Sequence, residues 1–233
     1  LVTGGAHGIG RAAVQEAEAR GLSTICFDLD PTEGGYLVDV ADPEQVEDAM
    51  DRDWSEHGPI NGLVNNAGVV HRASLIATSP AEFSRVLAIN LVGAYSCLHS
   101  LARRWTESEM EAHVVNITSA HAVLAQRERT AYAASKAGLE SLSRSAALEL
   151  GPLVKVYALA AGYTRTEEGR TRLVGDRGQA AGRRVPLGRV IDAFEVAAAA
   201  IDLVTGRFPA MTGQVMRLDG GWSSSDVELE RLT

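Results

Sequence analysis

The chain is short of the features that mark several large protein classes. Its two cysteines, Cys26 and Cys97, sit in apolar stretches without metal-ligand spacing, so neither a disulfide framework nor a zinc cluster is expected, and both thiols read as buried and reduced. His7, His57, His71, His99, His113 and His121 form no H-x-x-x-H or acid-flanked pattern, and no metal site is expected. No apolar run reaches the roughly 20 residues that a membrane span requires. The segment from Ala193 to Val204 is too short, is interrupted by Glu195 and Asp202, and reads as a buried helix. Positive charge is scarce: 22 Lys and Arg stand against 30 Asp and Glu, the net charge is −8 and the pI is near 5.3. A phosphate-backbone binder would show a basic patch, so nucleic acid is not an expected partner. With no Pro/Ser-rich linker or charge block, residues 1–233 are expected to form one domain. The expectation is a cytoplasmic protein with no membrane partner.

What is present is an ordinary globular composition, 45 % hydrophobic and 22 % charged. The chain opens on Leu1-Val2-Thr3 rather than Met and enters the end of a strand at once, so upstream residues and part of that strand are expected to be missing. Strand patterns alternate with helical ones along the whole length. This predicts an α/β fold of the doubly wound, Rossmann type, a mostly parallel sheet with helices on both faces.

The run from Thr130 to Leu150 predicts one amphipathic helix carrying Tyr132-Ala133-Ala134-Ser135-Lys136. Residues four apart share a helix face, so a phenol and an ammonium meet there. A nearby cation favours the phenolate and lowers the phenol's pKa from its reference value of about 10, which makes the pair an acid/base device.

Gly4-Gly5-Ala6-His7-Gly8-Ile9-Gly10 follows a strand and opens a helix. Glycines let the backbone turn tightly, and the helix N-terminus offers N–H groups to a phosphate. The spacing comes close to a P-loop, which is disfavoured because Arg11-Ala12 stand where Lys and Ser/Thr are needed. Asp28 ends the second strand about 20 residues later, where an acid accepts the adenosine ribose hydroxyls and repels a 2′-phosphate, favouring NAD. The gap from Leu29 to Gly35 is too short for a crossover helix, so a loop is expected before a third strand at Tyr36-Leu37-Val38. Asp42-Pro43-Glu44 starts a helix to about His57, and Ile60 to Val64 is a strand leading into Asn65-Asn66-Ala67-Gly68. A helix from Pro80 towards Trp105 carries Asn90 in its apolar stripe, where a buried amide needs partners. His113 to Ser119 places Ser119 at a strand's carboxyl end, the ligand end of open α/β sheets. His121, two residues on, is placed to line the pocket or to stand on the loop surface, and the loop surface is the expectation. Residues 167–190, polar and Arg-rich, are expected to form a mobile flap over the pocket.

Taken together, Thr3-Gly4-x-x-x-Gly8-x-Gly10, Asn65-Asn66-Ala67-Gly68, Asn90, Ser119 and Tyr132-x-x-x-Lys136 resemble the short-chain dehydrogenase/reductase family in its single-domain form. The resemblance implies about seven parallel strands, a nicotinamide cofactor and a homo-oligomer, tetramer or dimer. It also implies that Tyr132 is the general acid/base, that Lys136 lowers its pKa and holds the nicotinamide ribose, that Ser119 orients the substrate carbonyl and that Asn90 anchors a proton-relaying water. Gly4, His7, Gly8, Ile9 and Gly10 match the pyrophosphate turn, and Asp28 with Leu29 the adenosine ribose. Asp39 and Val40 match adenine contacts, Asn66-Ala67-Gly68 the wall beside adenosine and ribose, and Thr164 and Thr166 contacts to the nicotinamide amide and phosphates.

Three positions depart from the pattern: Ala161 stands before Gly162 in place of Pro, Tyr157 replaces an Asn, and Asn61 replaces an acid. Ala161 should loosen its turn, and Tyr157 should bring a bulky ring where a small amide is usual. The expected activity is hydride transfer between NAD and a secondary alcohol or ketone, a small-molecule substrate. The alternative is an NAD-binding sensor or interaction module without efficient turnover.

Overall fold

The computed structural model describes residues 1–166 and 175–224. Its elements run β1 (Val2–Thr3), α1 (Gly8–Ala19), β2 (Cys26–Asp28), β3 (Tyr36–Leu37), α2 (Pro43–His57), β4 (Gly62–Asn65), α3 (Pro80–Leu87), a π-helical turn (Ala88–Gly93) and α4 (Ala94–Glu107). There follow β5 (Ala112–Ser119), a short 3₁₀ turn (Ala120–Ala122), α5 (Thr130–Leu150), β6 (Val154–Ala161), β7 (Thr164–Arg165), α6 (Gly175–Gly182), β8 (Ile191–Asp192), α7 (Ala193–Val204), β9 (Val215–Leu218) and a second 3₁₀ turn (Trp222–Ser224).

Seven strands form one sheet in the order β3-β2-β1-β4-β5-β6-β9, every pair parallel. The winding reverses between β1 and β4, and the carboxyl ends of the strands at such a reversal form a ligand crevice. Side-chain alternation divides the core in two. On one face Val114 and Val156 join Val46 and Met50 of α2, Leu98, Leu101 and Trp105 of α4, and Ala146 and Ala147 of α5. On the other, Val115, Ile117, Tyr157 and Leu159 meet Ala13 and Ala17 of α1 and Val196, Ala200 and Ile201 of α7. Both faces of β5 and β6 are therefore dry, which is why these strands read as nearly continuous apolar runs.

Local chemistry sets the helix starts. Asp42 accepts from the backbone N–H of Glu44 and Gln45, and Ser79 with Glu82 makes a reciprocal capping box. The helix expected from Pro80 to Trp105 is interrupted by the π turn at 88–93, which adds a residue to one turn and carries Asn90. The second strand is shorter than the apolar run from Ser23, because only Cys26–Asp28 pairs with β1 and β3.

Of the expected flap, residues 167–174 lie outside the described residues. From Gly175 onward the segment is helical and then returns through Ile191–Asp192, which pairs with Thr164–Arg165 in a separate two-stranded sheet. Among the described residues, no helix is long and apolar enough to cross a membrane and no cluster of His, Cys, Asp or Glu is arranged to hold a metal ion. Cys26 and Cys97 are both buried and free, and burial pushes the Cys97 thiol up to about 12.

Candidate active site

Strand β1 passes into the glycine bend, which is locked to the end of β4. Thr3 Oγ1 accepts from the backbone N–H groups of Asn66 and Ala67, each at 3.0 Å, and Asn66 Nδ2 donates to the carbonyls of Thr3 (3.1 Å) and Gly4 (2.9 Å). Gly4 has φ +67°, and a Cβ at Gly10 would lie 2.0 Å from the Gly4 carbonyl oxygen, so both glycines are required by this close approach. Helix α1 then begins with His7 in the N-cap position, without a side-chain capping bond and without an acidic residue in the first turn. Its first N–H groups and positive dipole end suit a phosphate. Gly8 and Ile9 lie at this helix start. Thr166 faces Gly8, and a Cβ there would sit 3.4 Å from the threonine methyl.

Asp28, at the end of β2, lies beside the bend. Its Oδ2 accepts from Ala6 N–H at 2.8 Å and its Oδ1 from Asp30 N–H at 3.0 Å. His7 Nε2 is 2.8 Å from Asp30 Oδ2. Leu29 is exposed, Asp39 accepts from Ala41 N–H at 2.9 Å, and Val40 is buried against Gly93 of the π turn.

A cleft of about 450 Å³ opens over the carboxyl ends of β4, β5 and β6. It brings together Asn66, Gly68, Ser119, Tyr132, Lys136, Thr164 and Thr166, with Ile9 at its edge. Asp28, Asp39 and Val40 are not in its walls. Ser119 caps the 3₁₀ turn, its Oγ accepting from His121 N–H at 3.2 Å. Lys136 is buried; its Nζ donates to the Ile117 carbonyl at 2.8 Å and lies 5.9 Å from the centre of the Tyr132 ring. Asn90 is fully buried. Its Oδ1 accepts from Val69 N–H at 2.7 Å, and its Nδ2 donates to the Val69 carbonyl and to Ser135 Oγ, both at 3.0 Å. Ser135 Oγ in turn donates to the Tyr132 carbonyl at 2.7 Å, so Asn90 is tied through one hydroxyl to the backbone of the tyrosine turn.

Electrostatics correct one expectation. Burial pushes the Tyr132 phenol up, and a hydrogen bond with Ser119 and the charge of Arg129 offset this in part. The acidified phenol expected from helix spacing alone is absent, because desolvation outweighs the Ser119 hydrogen bond and the Arg129 charge. Burial likewise pushes Lys136 down to about 8.

One further expectation, that for His121, changes. Tyr157 keeps its bulky ring outside the cleft. Its ring is buried among the residues facing α1 and α7, with the hydroxyl donating to the Phe208 carbonyl at 3.5 Å, because odd positions of β6 point away from α5. Ala161 does line the cleft, and its neighbour Gly162 is held by its N–H to the Leu218 carbonyl at 3.0 Å. His121 is a half-buried wall residue rather than surface, stacked edge-on against Tyr132 at 6.2 Å and Trp222 at 5.2 Å. Sequence reading missed the linking role of Ser135, visible only as a hydroxyl inside the Tyr-to-Lys run. It also missed Tyr163 and Trp222, which stack at 4.1 Å and are separated by a long stretch of chain.

A Rossmann-type parallel sheet with this cleft defines a class, and the chain belongs to the short-chain dehydrogenase/reductase family. The family profile described as enoyl-(acyl carrier protein) reductase matches residues 4–223. An uncharacterized short-chain type dehydrogenase/reductase, y4vI of Sinorhizobium fredii, is 36 % identical over 96 % of this chain, and the chain spans 43 % of that relative's length. The D-threitol dehydrogenase of Mycolicibacterium smegmatis is 33 % identical, with 96 % of this chain and 92 % of the relative covered. Among solved structures, a gluconate 5-dehydrogenase from Burkholderia cenocepacia in complex with NADP and tartrate superposes with a TM-score of 0.89 at 27 % identity, covering 96 % of this chain and 94 % of that one. The family consists of oxidoreductases that use nicotinamide cofactors.

Proposed function

We propose that the chain transfers a hydride between NAD(H) and a secondary alcohol or ketone, with Tyr132 as general acid/base. The carrying observation is the convergence of Ser119, Tyr132 and Lys136 on one cleft whose opposite wall, Asn66 to Gly68, is bonded to the glycine bend.

The residues present fit a dinucleotide. The bend ends in a helix N-terminus without a side-chain cap, and an acid stands at the end of the next strand. Gly4, His7, Gly8, Ile9 and Gly10 would hold the pyrophosphate, Asp28 and Leu29 the adenosine ribose, Asp39 and Val40 the adenine. Asn66, Ala67 and Gly68 would wall the adenosine and ribose, and Thr164 and Thr166 would meet the nicotinamide amide and phosphates. When bound, the nicotinamide ring supplies the acceptor or donor of the hydride.

Ser119 orients the substrate oxygen. Tyr132 gives its proton to that oxygen during reduction and takes it back during oxidation. Lys136 reaches the nicotinamide ribose, while the Ser119 hydroxyl and the charge of Arg129 counter the burial that holds the phenol up. Asn90 keeps the Val69 backbone and Ser135 in place and is assigned the water that relays protons to Lys136. Asp28, Asp30 and Glu33 cluster acidic charge where a 2′-phosphate would lie, which supports NAD over NADP. We further assign the chain as one domain that assembles into a dimer or tetramer.

The test follows the absorbance of reduced nicotinamide while sugar alcohols, cyclic diols, hydroxysteroids and β-ketoacyl thioesters are screened. Tyr132→Phe is expected to lose about 10²–10⁴ in rate, the usual contribution of a placed proton donor. Undiminished activity of that variant would overturn the mechanism, and tighter binding of NADP than NAD in titrations would overturn the cofactor assignment.

A further inference from the structure

On the substrate side of the cleft, beside Ser119 and Tyr132, stand His121, Gln126 and Tyr163. The imidazole of His121 is pinned from three directions. Its Nδ1 lies 3.3 Å from the Leu124 carbonyl, and its ring stands edge-on to Trp222 at 5.2 Å and to Tyr132 at 6.2 Å. Trp222 is held in turn by its stack on Tyr163 at 4.1 Å. Its turn is closed by Asp219, whose Oδ1 accepts from Gly221 N–H and whose Oδ2 accepts from Ser223 N–H, each at 2.9 Å. An imidazole packed between two rings keeps one orientation. That orientation fixes where its proton sits. A carbonyl oxygen can only accept, so Nδ1 carries the proton and Nε2 is an acceptor. Burial, with a smaller push from the charge of Arg129, lowers the His121 pKa against the pull of the Leu124 bond, which keeps the ring neutral near pH 7. Among the described residues Nε2 has no hydrogen-bond partner. The neighbouring Ser119 Oγ is engaged by His121 N–H at 3.2 Å and by Tyr132, and among the described lining residues none is acidic.

We propose that His121 Nε2 accepts a hydrogen bond from a second substrate hydroxyl, on the carbon next to the reacting one, so that the substrate is a vicinal diol or, in reverse, an α-hydroxy ketone. Resting on the oxidoreductase reading above, this assignment names the substrate class of the same site. Ser119 and Tyr132 hold the reacting oxygen. His121 follows Ser119 by two residues, bonds to its hydroxyl through the backbone and stands against the Tyr132 ring, so only a short spacer fits between the two held oxygens. The second hydroxyl therefore belongs on the adjacent carbon. A hydroxyl can donate to Nε2, whereas an ether or ketone oxygen at that place cannot and would leave the nitrogen unmet. The Tyr163 ring, covered on one side by Trp222, gives the carbon skeleton an apolar wall. In oxidation the hydride leaves one carbinol carbon for the nicotinamide, and that carbon's hydroxyl proton goes to the Tyr132 phenolate. The neighbouring hydroxyl keeps its proton throughout, so His121 selects and orients the substrate without exchanging a proton with it.

The experiment measures kcat/KM with NAD for the stereoisomers of butane-2,3-diol and cyclohexane-1,2-diol, for their mono-methyl ethers, for butane-1,3-diol, and for butan-2-ol and cyclohexanol. The ethers keep the electronic effect of the second oxygen but have no proton to donate. At least one vicinal diol is expected to exceed its ether by about 30-fold or more, the discrimination a site built for a hydroxyl achieves when half-buried. His121→Phe, which keeps the ring contacts and removes the acceptor, should cut that ratio by about 10-fold or more, and His121→Gln, whose amide oxygen accepts, should keep part of it. The ratio cancels any effect on Tyr132, since both members of a pair share it. A readout without turnover uses histidine labelled with nitrogen-15 and the protein bound to NADH. The His121 signals, assigned by their loss in His121→Gln, should show Nδ1 protonated and Nε2 bare, and Nε2 should shift with cyclohexane-1,2-diol but not with its ether. A diol no better than its ether, a ratio unmoved by His121→Phe, equal use of butane-1,3-diol, a protonated Nε2 or an unshifted one would each overturn the proposal. Oxidation of the mono-alcohols would in those cases leave the oxidoreductase reading intact. Absence of turnover with these alcohols and with the wider panel above would bring down both.

Discussion

Lys136 is 5 % exposed, with its ammonium on the Ile117 carbonyl and its pKa down to about 8 from 10.5. Between those two values the unfolded chain binds more protons than the folded one, so stability rises with pH across that window. Below it the full cost is present, on the order of 3 kcal/mol. Lys136→Met should therefore raise the urea unfolding free energy at pH 7 by about 1–3 kcal/mol, lose part of that advantage by pH 9.5, and abolish turnover. Comparing the two proteins isolates this residue from Cys97, whose raised pKa acts with the opposite sign. Tyr132 gives a kinetic prediction. Burial holds its phenol up, so alcohol oxidation, which needs the phenolate, should speed up as pH rises through the alkaline range. Removing the charge in Arg129→Gln should move that limb to higher pH, as a pH profile of kcat/KM would show. Four-residue spacing was enough to pair this phenol and amine in the sequence. Their burial was not legible there, because it comes from β5 and the 3₁₀ turn packing over the start of α5.

Among the elements, the glycine bend and the α3–α4 helix show what periodicity can and cannot reveal. The bend was legible because its glycines answer a local demand for tight approach. Gly10→Ala would press a methyl 2.0 Å from the Gly4 carbonyl oxygen, and isothermal titration should show loss of nucleotide binding along with reduced stability. The helix from Pro80 was legible at its start, through Ser79 and Glu82, and in its apolar stripe. Its π turn was not, since one extra residue shifts the stripe too little to break the pattern. Gly93 reveals the packing at that turn. A Cβ there would lie 2.8 Å from Val40 Cγ2 and 2.9 Å from the Val40 carbonyl oxygen, so Gly93→Ala should cost about 1–3 kcal/mol in urea melts and lower kcat by displacing Asn90.

Across the whole molecule, the alternation of strand and helix patterns was enough to read a parallel sheet with helices on both faces, and the structure has seven parallel strands in one sheet. Which face the Tyr157 ring meets was not legible from its place in a motif, because side-chain parity along β6 turns it toward α1 and α7. Assembly leaves a different trace. Val92 in the π turn, Tyr95 on α4 and Leu148 on α5 are exposed apolar side chains on neighbouring helices. Light scattering should report a species larger than a monomer, and Tyr95→Glu with Leu148→Glu should reduce its mass without unfolding the chain.

The π turn also carries a history that chain length can test. It behaves as a one-residue surplus retained inside an otherwise regular rod, and excising a residue such as Ile89 would let ordinary helical winding resume. Each residue rotates the rod by about 100°, so the shortened chain would swing the Asn90 amide off Ser135 while improving the local backbone bonding. Such a deletant, sturdier and inert, would mark this surplus as something kept for turnover at the expense of helix regularity.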